Sequence, residues 1–399
     1  MTAPRAQASI NVAAIERNCA RLRRELRDGA ELCAVVKADG YGHGAAPSAL
    51  AALAGGASWL AVATAGEARE LRDAGIATAP ILVMGALSLA ELRQALAADA
   101  DVVVWSERYV RAVAEEGGGR VHVKLDSGMG RLGTRDAALA TRVLAVARET
   151  RGVQPVGLMS HFATADELDD DGFFAAQLDA FSDWAGEQKQ AQPELLVHIA
   201  NSAALLRDER SHLDMARCGI AVYGMDPFGE DPAARSLEPA LELSSYVAEV
   251  KPFRAGESAG YGRRFIATRD TSLGVLPIGY GDGWRRGLSN NADVLVGGVR
   301  YALVGTVSMD NVTIDLGPGP SAERLRGRPA MLIGADGAER ITAEEVARRL
   351  QTINYEVTCG LTSRVVRVHH RDGAVLDRVA AGSGGPDAGS PPWLPARHG

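Results

Sequence analysis

Six side chains able to move protons or hold anions stand at the ends of apolar runs or inside glycine-rich turns. The run Leu32 to Val36 reads as a buried parallel strand and delivers Lys37 into the turn Ala38-Asp39-Gly40-Tyr41-Gly42-His43-Gly44. An alanine-rich helix, Ala45 to Ala54, follows. The carboxyl end of a buried strand is where barrel enzymes keep their chemistry. Desolvation there lowers a lysine's pKa and makes its amine a nucleophile able to hold an aldehyde cofactor as a Schiff base. Tyr41 is near enough in sequence to reach the same pocket. The plainer alternative is a strand-end lysine that only reaches solvent. His161 follows the run Pro155–Met159, at a barrel mouth. Ser202, after Leu196–Ile199, is placed to cap the next helix, whose N-terminus attracts anions; capping alone is its simpler role. Arg217 lies in Ala216-Arg217-Cys218-Gly219-Ile220-Ala221-Val222-Tyr223-Gly224. An arginine keeps its protons, so it donates hydrogen bonds without giving a proton away. Tyr261, between Gly260 and Gly262, reads as a turn residue with a packed ring unless a site recruits it.

The elements that must position these groups alternate. Strand-like runs fall at 32–36, 60–64, 81–84, 102–104, 121–125, 155–159, 196–199 and, weakly, near Met215. Helical stretches lie between them at 65–74, 89–98, 107–115, 135–150, 172–190 and 202–208, and a helix precedes them at 13–27. Eight such βα units suggest a closed (β/α)8 TIM-type barrel; the competing open doubly wound sheet lacks its GxGxxG fingerprint. Near Asp231-Pro232-Ala233-Ala234-Arg235 the character changes. Short strands at 243–250, 271–277, 292–296, 299–305, 311–315 and 330–333 read as a mostly-β second domain, with a helix at 341–350 capped by Thr342 and boxed by Glu345. The expected organisation is a barrel over 12–235 and a β-rich domain over 236–378, which the strand at 8–12 would join. Residues 1–7 and a Gly/Pro/Ser-rich tail, 379–399, are expected to be disordered.

A chain of 399 residues, 46% of them hydrophobic, can build two cores. With 43 basic against 50 acidic residues and no basic block, it is a poor candidate for nucleic acid or acidic membranes. Cys19, Cys33, Cys218 and Cys359 are scattered, which argues against a zinc site or disulfides and fits a reducing compartment. No signal pattern or membrane-length apolar run is present, so a cytoplasmic protein is expected.

The stretch around Lys37 resembles the cofactor-lysine signature of the alanine racemases, fold-type III pyridoxal 5'-phosphate enzymes. The resemblance continues through Lys124-Leu125-Asp126-Ser127-Gly128-Met129-Gly130-Arg131-Leu132-Gly133, the Arg217 and Tyr261 segments, Gly279-Tyr280-Gly281-Asp282-Gly283-Trp284, Val307-Ser308-Met309-Asp310 and Ile353-Asn354-Tyr355-Glu356, to about Arg367. It implies that Lys37 holds the cofactor and acts on one face of the substrate's Cα, while Tyr261 acts on the other. It further implies that Arg131 contacts the cofactor's phenolic oxygen, steadied by Lys124, a lysine often carbamylated in the family. Arg217 would face the pyridine nitrogen, which as an unprotonated ring is a weaker electron sink and favours racemisation over transamination. His161 would join Arg217 to Tyr261, the two cations favouring phenolate. Ser202, Gly219, Ile220 and Tyr355 would bind the phosphate, with Tyr41 lining the cofactor pocket. Tyr280, Met309 and Asp310 would meet the substrate, supplied with Tyr261 by the second subunit of a head-to-tail homodimer. Thr306 departs from the arginine usual in the family, which helps gate the access channel; Arg286 and Asp166 remain as gate partners. The implied activity is interconversion of L- and D-alanine for peptidoglycan. A serine or broad-spectrum racemase and a non-catalytic cofactor carrier stay open as alternatives. The presence of a second domain speaks against the carrier, and Arg217 against a decarboxylase of the same barrel.

Overall fold

In the computed structural model, which describes residues 4–379, the apolar runs of the first half form strands buried on both faces. After β1 (Gln7–Asn11) come β2 (Glu31–Val35), β3 (Trp59–Val62), β4 (Ile81–Val83), β5 (Asp101–Val104), β6 (Gly119–Lys124), β7 (Val153–Met159), β8 (Leu196–His198) and β9 (Met215–Cys218). Strands β2 to β8 pair in chain order, all parallel, and β9 returns to pair with β2. Backbone bonds from Asp214 to Val197 (3.0 Å) and from Arg217 to Ala200 (2.9 Å) draw β9 against β8 and close the ring. Helices between the strands begin where the sequence supplies caps. Thr64 and Glu67, then Ser88 and Glu91, make reciprocal capping boxes, while Ser106 and Asp136 accept single or paired N–H bonds. The result is the expected eight-stranded α/β barrel, with Ile81, Leu82, Val102, Val104, Val121 and Val123 among its fully buried residues.

The chain divides between Phe228 and Gly229: residues 15–228 form one unit, and the segment up to Ala14 forms another with the chain from Gly229 onward. The break falls before the expected 235/236 boundary, because Asp231 caps a short 3-10 turn, Pro232–Arg235, that belongs to the second unit. That unit contains β10 (Leu241–Tyr246), β11 (Glu249–Phe253), β12 (Ser258–Ala259), β13 (Phe265–Ile266), β14 (Thr271–Leu276), β15 (Asp293–Val296), β16 (Val299–Val304), β17 (Val312–Gly317), β18 (Pro329–Asp336), β19 (Glu339–Ile341), β20 (Val366–Arg371) and β21 (Ala374–Val379). Its main sheet runs β11-β14-β17-β16-β15-β18-β10-β1-β20-β21, with β19 on β18, and β12 pairs only with β13. β1 sits third from one end of it, antiparallel to β10 and parallel to β20.

Several expectations are corrected. Disorder over residues 1–7 does not hold from Arg5, which donates to the Pro277 carbonyl (2.8 Å) and ion-pairs with buried Asp282; residues 1–3 lie outside the described residues. Of the 379–399 tail, Val379 ends β21, and 380–399 lie outside the described residues. The run 243–250 is two strands, β10 and β11. Thr342 does accept from Glu345 N–H, but the Glu345 carboxylate turns to Arg300 (2.7 Å) and Arg349 (3.0 Å), so only half of the capping box forms.

Candidate active site

Lys37 opens a turn whose backbone runs left-handed: Ala38, Asp39, Gly40 and Tyr41 have φ of 53°, 53°, 59° and 54°. Three non-glycine residues in that region cost roughly 1–2 kcal/mol each, so something outside the turn must hold it. Glu67 does so: one carboxylate oxygen accepts from Ala38 N–H (2.7 Å), the other from Ala63 (2.8 Å) and Thr64 (3.0 Å). Asp39 accepts from Ala45 N–H at the start of the next helix (3.0 Å). The strand end and the helix start are thereby locked around Lys37.

The same turn seats Tyr41, buried and tilted against Tyr223 with centroids 5.1 Å apart. Its hydroxyl lies directly over the Cα of Gly219: a Cβ there would overlap the hydroxyl and stand 2.7 Å from Cζ. Ser202 Oγ accepts from the N–H groups of Gly219 (3.0 Å) and Ala221 (3.3 Å). Ser202 is therefore not the helix cap; Asn201 holds that place and accepts from Ala204 N–H. Freed from capping, the serine hydroxyl faces the β9 turn. Two hydroxyls thus converge beside Gly219, one of them holding the two backbone N–H groups that a phosphate would take over, a donor set suited to an anion. Ile220 follows in this turn, but the N–H that meets Ser202 is that of Ala221, not Ile220.

Behind the cradle the barrel interior is polar. Arg217, buried in β9, donates to His198 Nδ1 (2.7 Å), His161 Nδ1 (3.1 Å) and the carbonyls of Ser160 (2.9 Å) and Ile199 (3.2 Å). His198 Nε2 meets His122 Nδ1 (2.8 Å), and His122 Nε2 meets Asp101 (3.2 Å), whose other oxygen accepts from Arg120 (2.5 Å). Because a guanidinium only donates, the proton positions follow: His198 accepts at Nδ1 and donates from Nε2 to His122, which donates to Asp101. Both imidazoles are then neutral. Burial first, and the Arg217 charge second, hold His161 and His198 well below the usual histidine range. The expectation that His161 is a cation is corrected: its Nδ1 accepts from Arg217, leaving Nε2–H as a neutral donor. Burial brings Arg217 down to about 10, so it remains charged at neutral pH.

Lys124 ends β6 in the same interior. Burial, then the charges of Arg217, Arg131 and Lys37, push its amine down to about 8. Of these, Arg217 is buried, Lys37 half-buried and Arg131 exposed. The loop carrying Arg131 is closed by Asp126 N–H to Thr134 O (2.8 Å), and the Asp126 carboxylate accepts from Gly128 (3.1 Å) and Gly130 (2.9 Å).

The remaining candidates belong to the second unit. Tyr261 is 73% exposed, Met309 51% and Tyr280 41%. The Tyr280 and Gly281 N–H groups donate to Ser308 O (3.0 Å) and Met309 O (2.9 Å), so the Tyr280 and Met309 loops are joined. Asp310 is bound by Arg364 (2.5 Å), which also reaches Asp282 (3.3 Å). Tyr355 stands in the short helix Asn354–Cys359.

Comparison with known proteins turns this geometry into a family assignment. Residues 10–227 match the family model for the alanine racemase N-terminal domain, and residues 240–369 that for the C-terminal domain. The chain is 38% identical over 378 residues to alanine racemase 1 of Bacillus subtilis, covering 93% of this chain and 94% of the relative. It is 40% identical over 378 residues to the alanine racemase of Beutenbergia cavernae, covering 92% and 98%. The crystal structure of alanine racemase from D-cycloserine-producing Streptomyces lavendulae superposes with a TM-score of 0.86 at 36% identity, covering 93% of this chain and 98% of that one. The chain belongs to the alanine racemase family. The two alanine racemase segments meet between 227 and 240, the interval in which the chain passes from one unit to the other. Coverage over both segments excludes a likeness confined to the barrel. Asp101, His122, His198 and Glu67, which hold the site's parts in place, did not stand out in the sequence. The available signal was the run Arg120-Val121-His122-Val123-Lys124, with polar residues at every second position of a strand buried on both faces.

Proposed function

We infer that this chain racemises alanine, using pyridoxal 5'-phosphate held on Lys37 and a homodimer in which Tyr261 of the partner subunit completes each site. The observation that carries the reading is the Tyr41–Ser202–Gly219 cradle at the barrel end that also bears Lys37. A hydroxyl occupies the space a Cβ would need, and the hydroxyls and N–H groups gathered there would serve as phosphate donors. When bound, the cofactor supplies the electron sink that makes the Cα proton of an amino acid removable. Arg217 would donate to the ring nitrogen without yielding its proton, and the His198–His122–Asp101 chain fixes that guanidinium in place. Arg131 and Lys124 would face the ring oxygen and the substrate carboxylate. A carbamylated Lys124 would be an anion, a natural partner for that arginine.

Racemisation requires a proton acceptor on each face of Cα. Lys37 serves one face. Tyr261 serves the other, with neutral His161 donating from Nε2 and Arg217 behind it favouring the phenolate. Tyr261, Tyr280 and Met309 are exposed large apolar side chains on the second unit that a second copy would cover. The D-alanine made would feed cell-wall synthesis in the cytoplasm.

The test is direct. Purified protein loaded with the cofactor and given L-alanine should produce D-alanine, read by a D-amino-acid oxidase couple, with kcat/KM for alanine above that for serine or lysine. No D-alanine, or serine exceeding alanine, contradicts the reading.

A further inference from the structure

We propose that Thr306 is a positioning residue for Tyr261, latching the segment that carries the second proton acceptor; the inference rests on the function proposed above. Tyr261 stands on a narrow tongue. Its base is the two-residue pair β12–β13, and Gly260, Gly262 and Arg263 have φ of 75°, 70° and 51°. The root is anchored by apolar packing of Ala259 against Leu273 and Val304, with Phe253 and Phe265 alongside. The tip has no such packing. A surface cleft of about 410 Å³, lined by Gly260, Tyr261, Thr306, Ser308, Asn311 and Thr313, opens beside it. Across that edge Thr306, only 7% exposed, donates its hydroxyl to the Tyr261 carbonyl at 2.8 Å.

The threonine is itself firmly set. Its neighbours on each side are tied by backbone N–H bonds, Gly305 to Asn290 and Val307 to Ser289 Oγ (2.9 Å). A Cβ built on Gly260 would stand 3.3 Å from the Thr306 nitrogen, so the two segments run close beside each other. The hydroxyl therefore transmits the position of a fixed sheet corner to the residue bearing the phenol. The arginine usual in the family at this position would not place a short buried hydroxyl under this carbonyl. In this chain Thr306 takes on the tongue in place of the gate.

The direction of the effect is specific. Tyr261 removes the proton from one enantiomer, L-alanine, and returns it when D-alanine is the substrate. A displaced phenol slows that step alone, while Lys37 is untouched. Thr306→Val keeps the volume and removes the hydroxyl; Thr306→Ser keeps the hydroxyl. In the full-length, cofactor-loaded protein, Thr306→Val is expected to lower kcat/KM for alanine about tenfold, since small misplacement of a reacting group costs this much or more. The Cα-deuterium isotope effect should rise with L-alanine and fall with D-alanine. Amides of residues 258–266 should exchange hydrogen about tenfold faster, and Thr306→Ser should restore all three. Unchanged isotope effects and exchange in Thr306→Val, or isotope effects that move together in both directions, overturn the proposal. Should the wild-type protein not racemise alanine, the proposed function fails. Amide exchange in the two variants then decides the latch on its own.

Discussion

Replacing Gly219 by alanine tests the phosphate cradle where it is tightest. The new Cβ would stand 2.7 Å from Tyr41 Cζ and closer still to the hydroxyl, against ordinary carbon contacts of about 3.5 Å. The ring must therefore withdraw by close to an ångström. It cannot do so freely, because Tyr41 is buried, leans on Tyr223 and hangs from a left-handed backbone. Overpacking of this kind costs about 1–3 kcal/mol. The clash exists without cofactor, so the apo protein should melt a few degrees lower, each kcal/mol being worth ~2–4 °C in domains of this size. Cofactor affinity should fall as well, by about 10- to 100-fold, because the displaced ring enters the space for the phosphate. Thermal melting of apo protein and a spectroscopic titration with pyridoxal 5'-phosphate measure the two effects separately. Adding Tyr41→Phe removes the nearest atom and should recover part of the stability. A Gly219→Ala protein with wild-type melting and wild-type cofactor affinity would refute the cradle.

Glu67→Gln keeps the size of the side chain but weakens three backbone bonds that hold the Lys37 turn; it should cost ~1–2 kcal/mol in urea unfolding and raise hydrogen exchange at Ala38. Lys124 has a folded-state pKa near 8 against the usual 10.5, so the unfolded chain binds more protons between those values. Stability should then rise with pH across that window, by ~2–3 kcal/mol, and the rise should be missing in Lys124→Met. The neutral fraction of this amine should also take up carbon dioxide, giving a carbamate signal by carbon-13 NMR that Lys124→Met lacks. Tyr261→Phe should reduce racemisation by ~10²–10⁴-fold while leaving cofactor affinity at the wild-type value, measured in the same titration.

The barrel was legible because its strands are buried on both faces and so read as short apolar runs at regular spacing. Strands β20 and β21 were not, because His369, His370 and Arg371 interrupt the apolar pattern of the one and Asp377 and Arg378 that of the other. Within the site, Lys37, Arg217 and Ser202 were visible as residues, but their local states were not. The left-handed run after Lys37 depends on Glu67, nearly thirty residues away. Ser202 lost the capping role to Asn201, since either neighbour can accept the N–H bond and only the fold decides which does. The neutrality of His161 follows from burial and from Arg217, both long-range. The His122 ring needs Gly157 beside it, where a Cβ would collide with Nδ1, and nothing local to either residue announces that pairing.

The chain contains only four lysines, Lys37, Lys124, Lys189 and Lys251, which makes the central claim easy to test. Borohydride treatment of the cofactor-loaded protein fixes the cofactor covalently to the amine that holds it, and peptide mass mapping then locates it. The label is expected on Lys37, with none in Lys37→Ala. A label on another lysine, or no label in a protein that still racemises alanine, would contradict the account.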